Sequence, residues 1–453
     1  MDGYHFRLVT EGIAVSSAPQ HDATDYYARG KSLRRAGGSR WAHSTYALVL
    51  AGGRGTRLHQ LTAHRAKPAT PFAGKLNIID FALSNCVNSG LRRIGVLTQY
   101  KAQSLIRHLE RGWGFLELNL GEYIDILPAQ QQLDENWYSG TANAVFQNLD
   151  ILRESDAELV LILAGDHVYK MDYSRMLADH LEMGADVTVA CTEVDVEGAH
   201  GLGVVDVDAD NRITRFDEKP ARPKSLPGRP GRTLVSMGIY VFGHRFLAEQ
   251  LARDAAETRS RHDFGRDLLP WLVPRHRVMA HRFETSCVNM VGDEPYWRDV
   301  GTVDAYWSAN IDLVQVVPQL NLYDDHWPIL SLQRQLPPAK FVLDGEGRRG
   351  MAVDALVASG CIVSGAVVRR SILFSKVRVS EGSQIEDSVL LPNVSVGQNV
   401  HVRRAVIDTH CVLPDGLRIG HDPAQDRERF HVTERGITLV TPDMLGQAVR
   451  AGR

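Results

Sequence analysis

Residues 48–58 read "LVLAGGRGTRL": three apolar residues run into a turn that carries three glycines and two arginines within seven positions. A short apolar run bounded by glycines reads as a buried strand ending in a tight turn. Glycines at such a turn let backbone N–H groups approach an anion closely, and Arg54 and Arg57 add planar cationic forks suited to phosphate. The stretch is not a Walker A loop, because no Gly-Lys-Ser/Thr follows. It lacks the third glycine of a dinucleotide fingerprint, with Leu58 in that place. On the turn alone, a tight loop with solvated arginines is an equal reading. Lys67, in "RAKPA", adds a third cation a short loop away and tips the balance to a polyphosphate site.

Working outward, the chain repeats strand, turn, helix. "YALVL" and "RRIGVLT" read as strands, as do "AELVLILAG", "ADVTVACTEV" and "TLVSMGIYVF". "NIIDFALSNCVNSG" reads as a helix with Gly90 at its C-terminal end, "YKAQSLIRHLE" as a second, and "YSRMLADHLEMG" as a third ending at Gly184. Near-continuous apolar strands alternating with helices predict an α/β fold with a mostly parallel sheet, whose ligands bind beyond the carboxyl ends of the strands. The proline-rich "PARPKSLPGRPGR" reads as a loop and "LYDDHWPILSLQRQLPPAK" as an interdomain linker.

After residue 350 the texture changes to short aliphatic pieces between Gly, Ser and Asn. Leu356, Ile362, Val368 and Phe374 are six apart, as are Val379, Ile385 and Leu391, and then Val394, Val400, Val406 and Val412. Such sixes predict a hexapeptide-repeat parallel β-helix with these residues pointing inward, over the alternative of a β-sandwich. "GITLVTPDML" reads as a closing strand and cap.

At 453 residues the chain is too long for one compact core, and it reads as two or three domains. A net charge of −3 gives no global pull toward nucleic acid or anionic membrane, so anion binding must come from local clusters. Five scattered cysteines without CxxC argue against a disulfide framework or zinc site and fit a reducing cytosol. No apolar run approaches the ~18 residues of a membrane helix. The first 44 residues mix basic and acidic groups, unlike a transit peptide, and read as a polar extension that becomes ordered at a subunit contact.

Carboxylates supply the other candidates. Asp166 follows "LVLILAG" and Asp299 lies in "WRDVGT"; each is a candidate Mg²⁺ ligand, with a helix cap the rival reading for Asp166. Glu218 and Lys219, in "FDEKP", suit a sugar hydroxyl and a phosphate, or a solvated charge pair. Asp263, in "HDFG", is a hydroxyl ligand or a helix cap.

Taken together, "LAGGRGTRL", "RAKPA", "IIDFALSNCVNSG", "TQY", "LPAQQ", "ENWYSGTANAV", "ILAGDHVYK", "FDEKPA", "SMGIYVF", "HDFG", "EPYWRDVGT", "LPPAKF" and the hexapeptide tail resemble the nucleotidyltransferases that join a sugar 1-phosphate to a nucleoside triphosphate. Within them the chain resembles the glucose-1-phosphate adenylyltransferase family, the ADP-glucose pyrophosphorylases of bacterial glycogen synthesis. Order and spacing of the motifs, from residue 46 to the end, make the resemblance specific.

The resemblance implies a Rossmann-like catalytic domain followed by a left-handed β-helix, assembled as a homotetramer in the cytoplasm. Its domains would be an extension at 1–44, a catalytic domain at 45–325, a linker at 326–350 and the β-helix at 351–453. It implies Mg²⁺-dependent in-line attack by glucose 1-phosphate on the α-phosphorus of ATP. By position, Gly52, Gly53, Arg54, Gly55, Thr56, Arg57 and Lys67 would hold the triphosphate, and Gln131 and Gly140 would lie by the adenine. Arg57, Lys67, Asp166 and Asp299 would be catalytic, the two aspartates holding the metal. Glu218, Lys219, Ser236, Tyr240, Asp263 and Trp297 would surround glucose 1-phosphate.

The chain also departs from that pattern. His64, Pro71 and Asn77 stand where enteric members carry Lys, His and Arg for fructose 1,6-bisphosphate. With Arg65, Arg403 and Arg404 retained, the expectation is weaker bisphosphate activation, a preference for fructose 6-phosphate, and anionic effectors including AMP-like inhibitors. Asn143 replaces a more usual Asp. Competing readings keep the fold but change the base to thymine, uracil or guanine. Others invoke the acyl-transfer chemistry common on hexapeptide helices, or a non-catalytic regulatory subunit.

Overall fold

The computed structural model describes residues 38–53, 55–116, 121–129, 138–290, 292, 294–345 and 348–448. The expected N-terminal extension therefore lies almost wholly outside the described residues. From Trp41 onward the chain forms one compact unit.

Its first half is built on a nine-stranded sheet among the described residues: β1 (Thr45–Leu50), β2 (Arg93–Thr98), β3 (Tyr123–Pro128), β4 (Leu159–Ala164), β5 (Val187–Asp195), β6 (Gly203–Val207), β7 (Ile213–Glu218), β8 (Arg232–Gly243) and β9 (Val278–Arg282). The order is β7-β6-β8-β4-β1-β2-β3, with β5 along β8 and β9 outside β5. Strands β3, β2, β1 and β4 run parallel, and β8 returns antiparallel to β4.

The apolar run at 46–50 exists because both of its faces are covered. Ala47 and Val49 join one core with Leu83, Leu105 and Met176, from α1 (Ile79–Asn88), α2 (Gln103–Gly112) and α3 (Tyr173–Glu182). Tyr46 and Leu48 join the other core, with Leu247 and Leu251. Each large side chain so buried contributes roughly 1.5–3 kcal/mol. The helix ends follow the sequence: Gly90 and Gly184 adopt φ of 87° and 54° just past α1 and α3, and the Asp172 side chain caps α3 by accepting from Ser174 N at 3.1 Å.

The second half is a left-handed parallel β-helix whose coil strands stack in parallel as three sheets, one of them closed by His431–Val432 running antiparallel to Thr438–Val440. Its first coil strand, Lys340–Val342, pairs with Ile362–Ser364 and lies inside the stretch read as linker. Register shows coils of sixteen residues at first, as in Leu356↔Ile372 and Ile362↔Arg378, and of seventeen further on, as in Arg378↔Ser395 and Gln384↔His401, so these coils fall one or two residues short of three sixes. That shortfall shifts the phase read from strict sixes. Val368, Val379, Ile385, Val394 and Val400 do point inward. Ile362 does not: Cys361 and Val363 fill the coil instead, and Leu356 is half-buried. Val412 is 54 % exposed, between the buried Cys411 and Leu413.

Phe374, Leu391 and Val406 are buried for a different reason. They face out of the coil and pack with Phe72, Phe81 and Tyr306 of the first half, while Leu373, Leu390 and Ile407 beside them fill the coil. One face of the prism is thus docked on the sheet domain. Helix α4 (Val303–Ile311) bridges the two: Trp307 Nε1 donates to the Asp387 carbonyl at 2.7 Å, and Thr433 Oγ1 donates to Asp304 at 2.6 Å.

Candidate active site

A cleft of about 1030 Å³ opens beyond the carboxyl ends of β1, β2 and β4. Gly52, Gly53, Gly55, Arg57 and Lys67 line one wall, Gly140 and Asp263 another, with Asp166, Glu218 and Tyr240 between them. Arg54 and Gln131 lie outside the described residues, as does the side chain of Thr56.

The turn after β1 is shaped by Gly55, whose φ is 61° and whose carbonyl accepts from Thr62 Oγ1 at 2.9 Å. That bond folds the following segment back and brings in Lys67, which opens the short 3₁₀ turn Lys67–Ala69 and is buried. Its Nζ lies 2.9 Å from Asp166 Oδ2 and 2.7 Å from Asp299 Oδ1. Asp166 sits just past β4. Asp299 ends a short antiparallel ribbon, Trp297–Asp299 against His167–Tyr169. Arg57 is 59 % exposed and reaches Asp299 at 3.6 Å, leaving its guanidinium open to solvent.

Electrostatics favour the charged forms of Lys67 and Asp166. Burial works against the Lys67 ammonium, but Asp166 and then Asp299 outweigh it and raise its pKa above the ordinary lysine value. Loss of water likewise works against the Asp166 carboxylate, yet Lys67 and then His167 hold its pKa well below the usual range. One ligand atom each from Asp166, His167 and Asp299 lies within 4.8 Å of the others. Two carboxylates and an imidazole fit a divalent cation.

At the other end, Glu218 closes β7 against Gly265, where an added Cβ would meet its Oε2 at 2.4 Å. Lys219 follows at φ 50°, 61 % exposed, with Nζ 3.0 Å from Glu218. Ser236 and Tyr240 both lie on β8; Ser236 Oγ accepts from Gly238 N at 3.2 Å, and Tyr240 stacks on Phe264 with centroids 5.5 Å apart. Asp263 does cap a helix, accepting from Gly265 N and Arg266 N, while its second oxygen accepts from Thr141 Oγ1 at 3.0 Å. Trp297 is buried beside His167, its Nε1 without a hydrogen-bond partner among the described residues. Gly140 is required by close approach, since a Cβ there would stand 2.3 Å from the His262 carbonyl oxygen. Asn143 accepts from Ser139 N and from Gln147, which assigns its amide to the local loop.

His64, Arg65, Arg403 and Arg404, the residues expected at an effector site, are held by different partners. Arg65 Nη2 binds Asp408 and Thr409 of the β-helix at 2.8 and 2.9 Å, and His64 stands 3.7 Å from Asp443. Arg404 lies over Trp307 and donates to the Arg435 carbonyl, whereas Arg403 is half exposed beside Glu386.

Residue reading overlooked Gln99, Tyr138, Thr141 and His167. The first three line or brace the cleft, and His167 joins the carboxylates. "TQY", "WYSGT" and "GDHVY" carried them, but nothing local distinguished their side chains.

A nucleotidyl transferase family model matches residues 46–316, and a GlmU-like C-terminal hexapeptide model matches residues 337–440. A relative named glucose-1-phosphate adenylyltransferase from Nitrosospira multiformis is 61 % identical over 411 residues, 91 % of this chain and 97 % of the relative. Relatives of the same name from Nitrosomonas europaea and Dechloromonas aromatica are 60 % identical over 408 residues and 58 % over 416, covering 90 % and 92 % of this chain and 94 % of each relative. With that coverage spanning both halves, the chain belongs to the glucose-1-phosphate adenylyltransferase family of nucleotidyl transferases.

Proposed function

We propose that the chain transfers the adenylyl group of ATP to α-D-glucose 1-phosphate, giving ADP-glucose and pyrophosphate, the activated-glucose step of bacterial glycogen synthesis. The observation that carries this reading is the ion cluster of Lys67 with Asp166 and Asp299, set beside a glycine turn at the carboxyl ends of parallel strands.

The reaction asks the protein mainly for positioning and charge neutralisation. Gly52, Gly53 and Gly55 offer backbone N–H groups to the triphosphate, with the exposed Arg57 closing on it as the pyrophosphate charge grows. Lys67 orients the two aspartates and adds a buried positive charge near the α-phosphate. Glu218 accepts from sugar hydroxyls and Lys219 anchors the sugar phosphate, while Tyr240, Trp297, Ser236 and Asp263 shape the sugar pocket. Gly140, together with Arg54, Thr56 and Gln131, completes the nucleotide side. Asp166 and Asp299 would hold Mg²⁺, which supplies Lewis-acid neutralisation of phosphate charge when bound.

Regulation by anionic metabolites and a cytoplasmic homotetramer belong to the same proposal. Arg65 is already neutralised by Asp408. An effector at that contact must compete with a partly buried ion pair, which supports weak response to fructose 1,6-bisphosphate.

The test is pyrophosphate release by the purified chain with Mg²⁺ and glucose 1-phosphate, comparing ATP, UTP, dTTP and GTP. A strong ATP preference is expected. Preference for another nucleotide would move the protein out of glycogen synthesis, and no release with any of them would favour a regulatory subunit.

A further inference from the structure

Resting on the metal-assisted reading above, His167 carries a further inference. The ribbon of His167–Tyr169 and Trp297–Asp299 is antiparallel, with Asp299 directly opposite His167. Directly opposed residues project to the same face of a ribbon, so the imidazole and the Asp299 carboxylate share one side. Asp166 precedes His167 in the chain and turns toward the same point: its Oδ1 is 3.6 Å from His167 Nε2. That distance is too long for a hydrogen bond. His167 Nδ1 is buried and also lacks a hydrogen-bond partner among the described residues.

An imidazole that is 12 % exposed, with a buried Nδ1 that has no partner among the described residues, is an expensive way to fill space. Its ring is nevertheless held firmly, edge to face on Trp297 with centroids 5.1 Å apart and planes at 77°. A fixed ring whose Nε2 faces Asp166 Oδ1 beyond hydrogen-bond reach, with Asp299 on the same side, places a donor atom where a metal ligand is needed.

We propose that His167 supplies an imidazole nitrogen as a third protein ligand to the divalent cation held by Asp166 and Asp299. Ligand atoms about 2.1 Å from one ion stand ~3–4 Å apart, so the donor atoms, now within 4.8 Å, need shifts of about an ångström or less. A nitrogen donor has a chemical consequence: it raises affinity for Mn²⁺ and Co²⁺ relative to Mg²⁺, which prefers oxygen. Trp297 then acts as the wall that positions this ligand.

The test is pulsed EPR on the full chain loaded with Mn²⁺ and α,β-methylene-ATP, with histidine labelled with ¹⁵N. Directly bound histidine nitrogen is expected to give ¹⁵N modulation, which separates it from unlabelled nucleotide nitrogen. In His167→Gln, and in His167→Asn as a second variant, that modulation is expected to vanish and Mn²⁺ affinity to fall on the order of tenfold, with a smaller loss for Mg²⁺. Mn²⁺ bound without histidine modulation in the unsubstituted chain, or modulation that persists in the variants, overturns the role of His167 and leaves the adenylyl-transfer reading intact. No Mn²⁺ bound at all overturns the metal reading and this inference with it.

Discussion

Nζ of Lys67 lies 2.9 Å from Oδ2 of Asp166, 99 residues further along the chain, and that contact ties the floor of the cleft to its glycine-rich wall. Because Lys67 is buried, its removal leaves Asp166 and Asp299 facing each other with only the exposed Arg57, 3.6 Å from Asp299, to offset their charge. Asp166 is 34 % exposed, so the cost falls below the about 3–5 kcal/mol of a fully buried pair. Lys67→Gln is therefore expected to lower both kcat, by about a hundredfold, and resistance to urea. Steady-state kinetics and urea titration check the two effects separately, and a variant that loses neither would remove Lys67 from the centre of the site.

Gly140 gives a sharper steric case. Main-chain oxygen, not a flexible side chain, blocks the space a Cβ would need, at 2.3 Å from His262 O. Gly140→Ala must shift either the 138–141 loop or the 261–263 segment that pairs with it. The expected result is a stability loss of about 1–3 kcal/mol and a raised KM for ATP. Unchanged stability and KM would show that the two segments separate freely.

The docked face of the β-helix can be tested by contrast. Leu391 and Val412 both belong to the six-residue pattern, yet Leu391 is fully buried between the domains and Val412 is 54 % exposed. Leu391→Ala is expected to cost about 2–5 kcal/mol, while Val412→Ala stays within about 0.5 kcal/mol. Thermal unfolding of both variants decides it, and equal losses would place Val412 back inside the coil.

His180 sets a pH dependence. Burial pulls its pKa from the ordinary 6.5 down to about 4, despite Asp186 nearby. Above pH 6.5 both folded and unfolded forms are neutral there, and the contribution to stability is fully present. As pH falls from 6.5 toward 4, the unfolded chain takes up a proton that the folded chain refuses, and stability is lost. The loss is about 2 kcal/mol by pH 5. Urea titrations at pH 7 and 5 are expected to show this drop, with a smaller difference in His180→Gln; an equal drop in that variant would assign it to other groups.

Much of this architecture was legible because its signals are local. The apolar run at 46–50 needs two covered faces, and the glycine turn after it, with Lys67, marked residues that line the cleft. Gly90 and Gly184 marked helix ends through positive φ. What was not legible depends on partners far away in the chain. His167 gains meaning from Asp299 across a ribbon, and no periodicity announces that pairing. Phe374, Leu391 and Val406 look like coil-filling residues because burial in a domain contact and burial in a coil leave the same apolar residue in the sequence. Asp263 was open between cap and ligand, and its carboxylate proves to cap the segment while lining the cleft.

The decisive measurement is the initial rate of ADP-glucose formation from ATP and glucose 1-phosphate, taken side by side for the unsubstituted chain and Asp166→Asn across a range of Mg²⁺ concentration. The unsubstituted chain is expected to form ADP-glucose in a Mg²⁺-dependent way, and Asp166→Asn, folded by circular dichroism, to lose about a hundredfold to a thousandfold in kcat. An Asp166→Asn protein that turns over at near the original rate, or an unsubstituted chain that makes no ADP-glucose, would contradict the assignment of this cleft to metal-assisted adenylyl transfer.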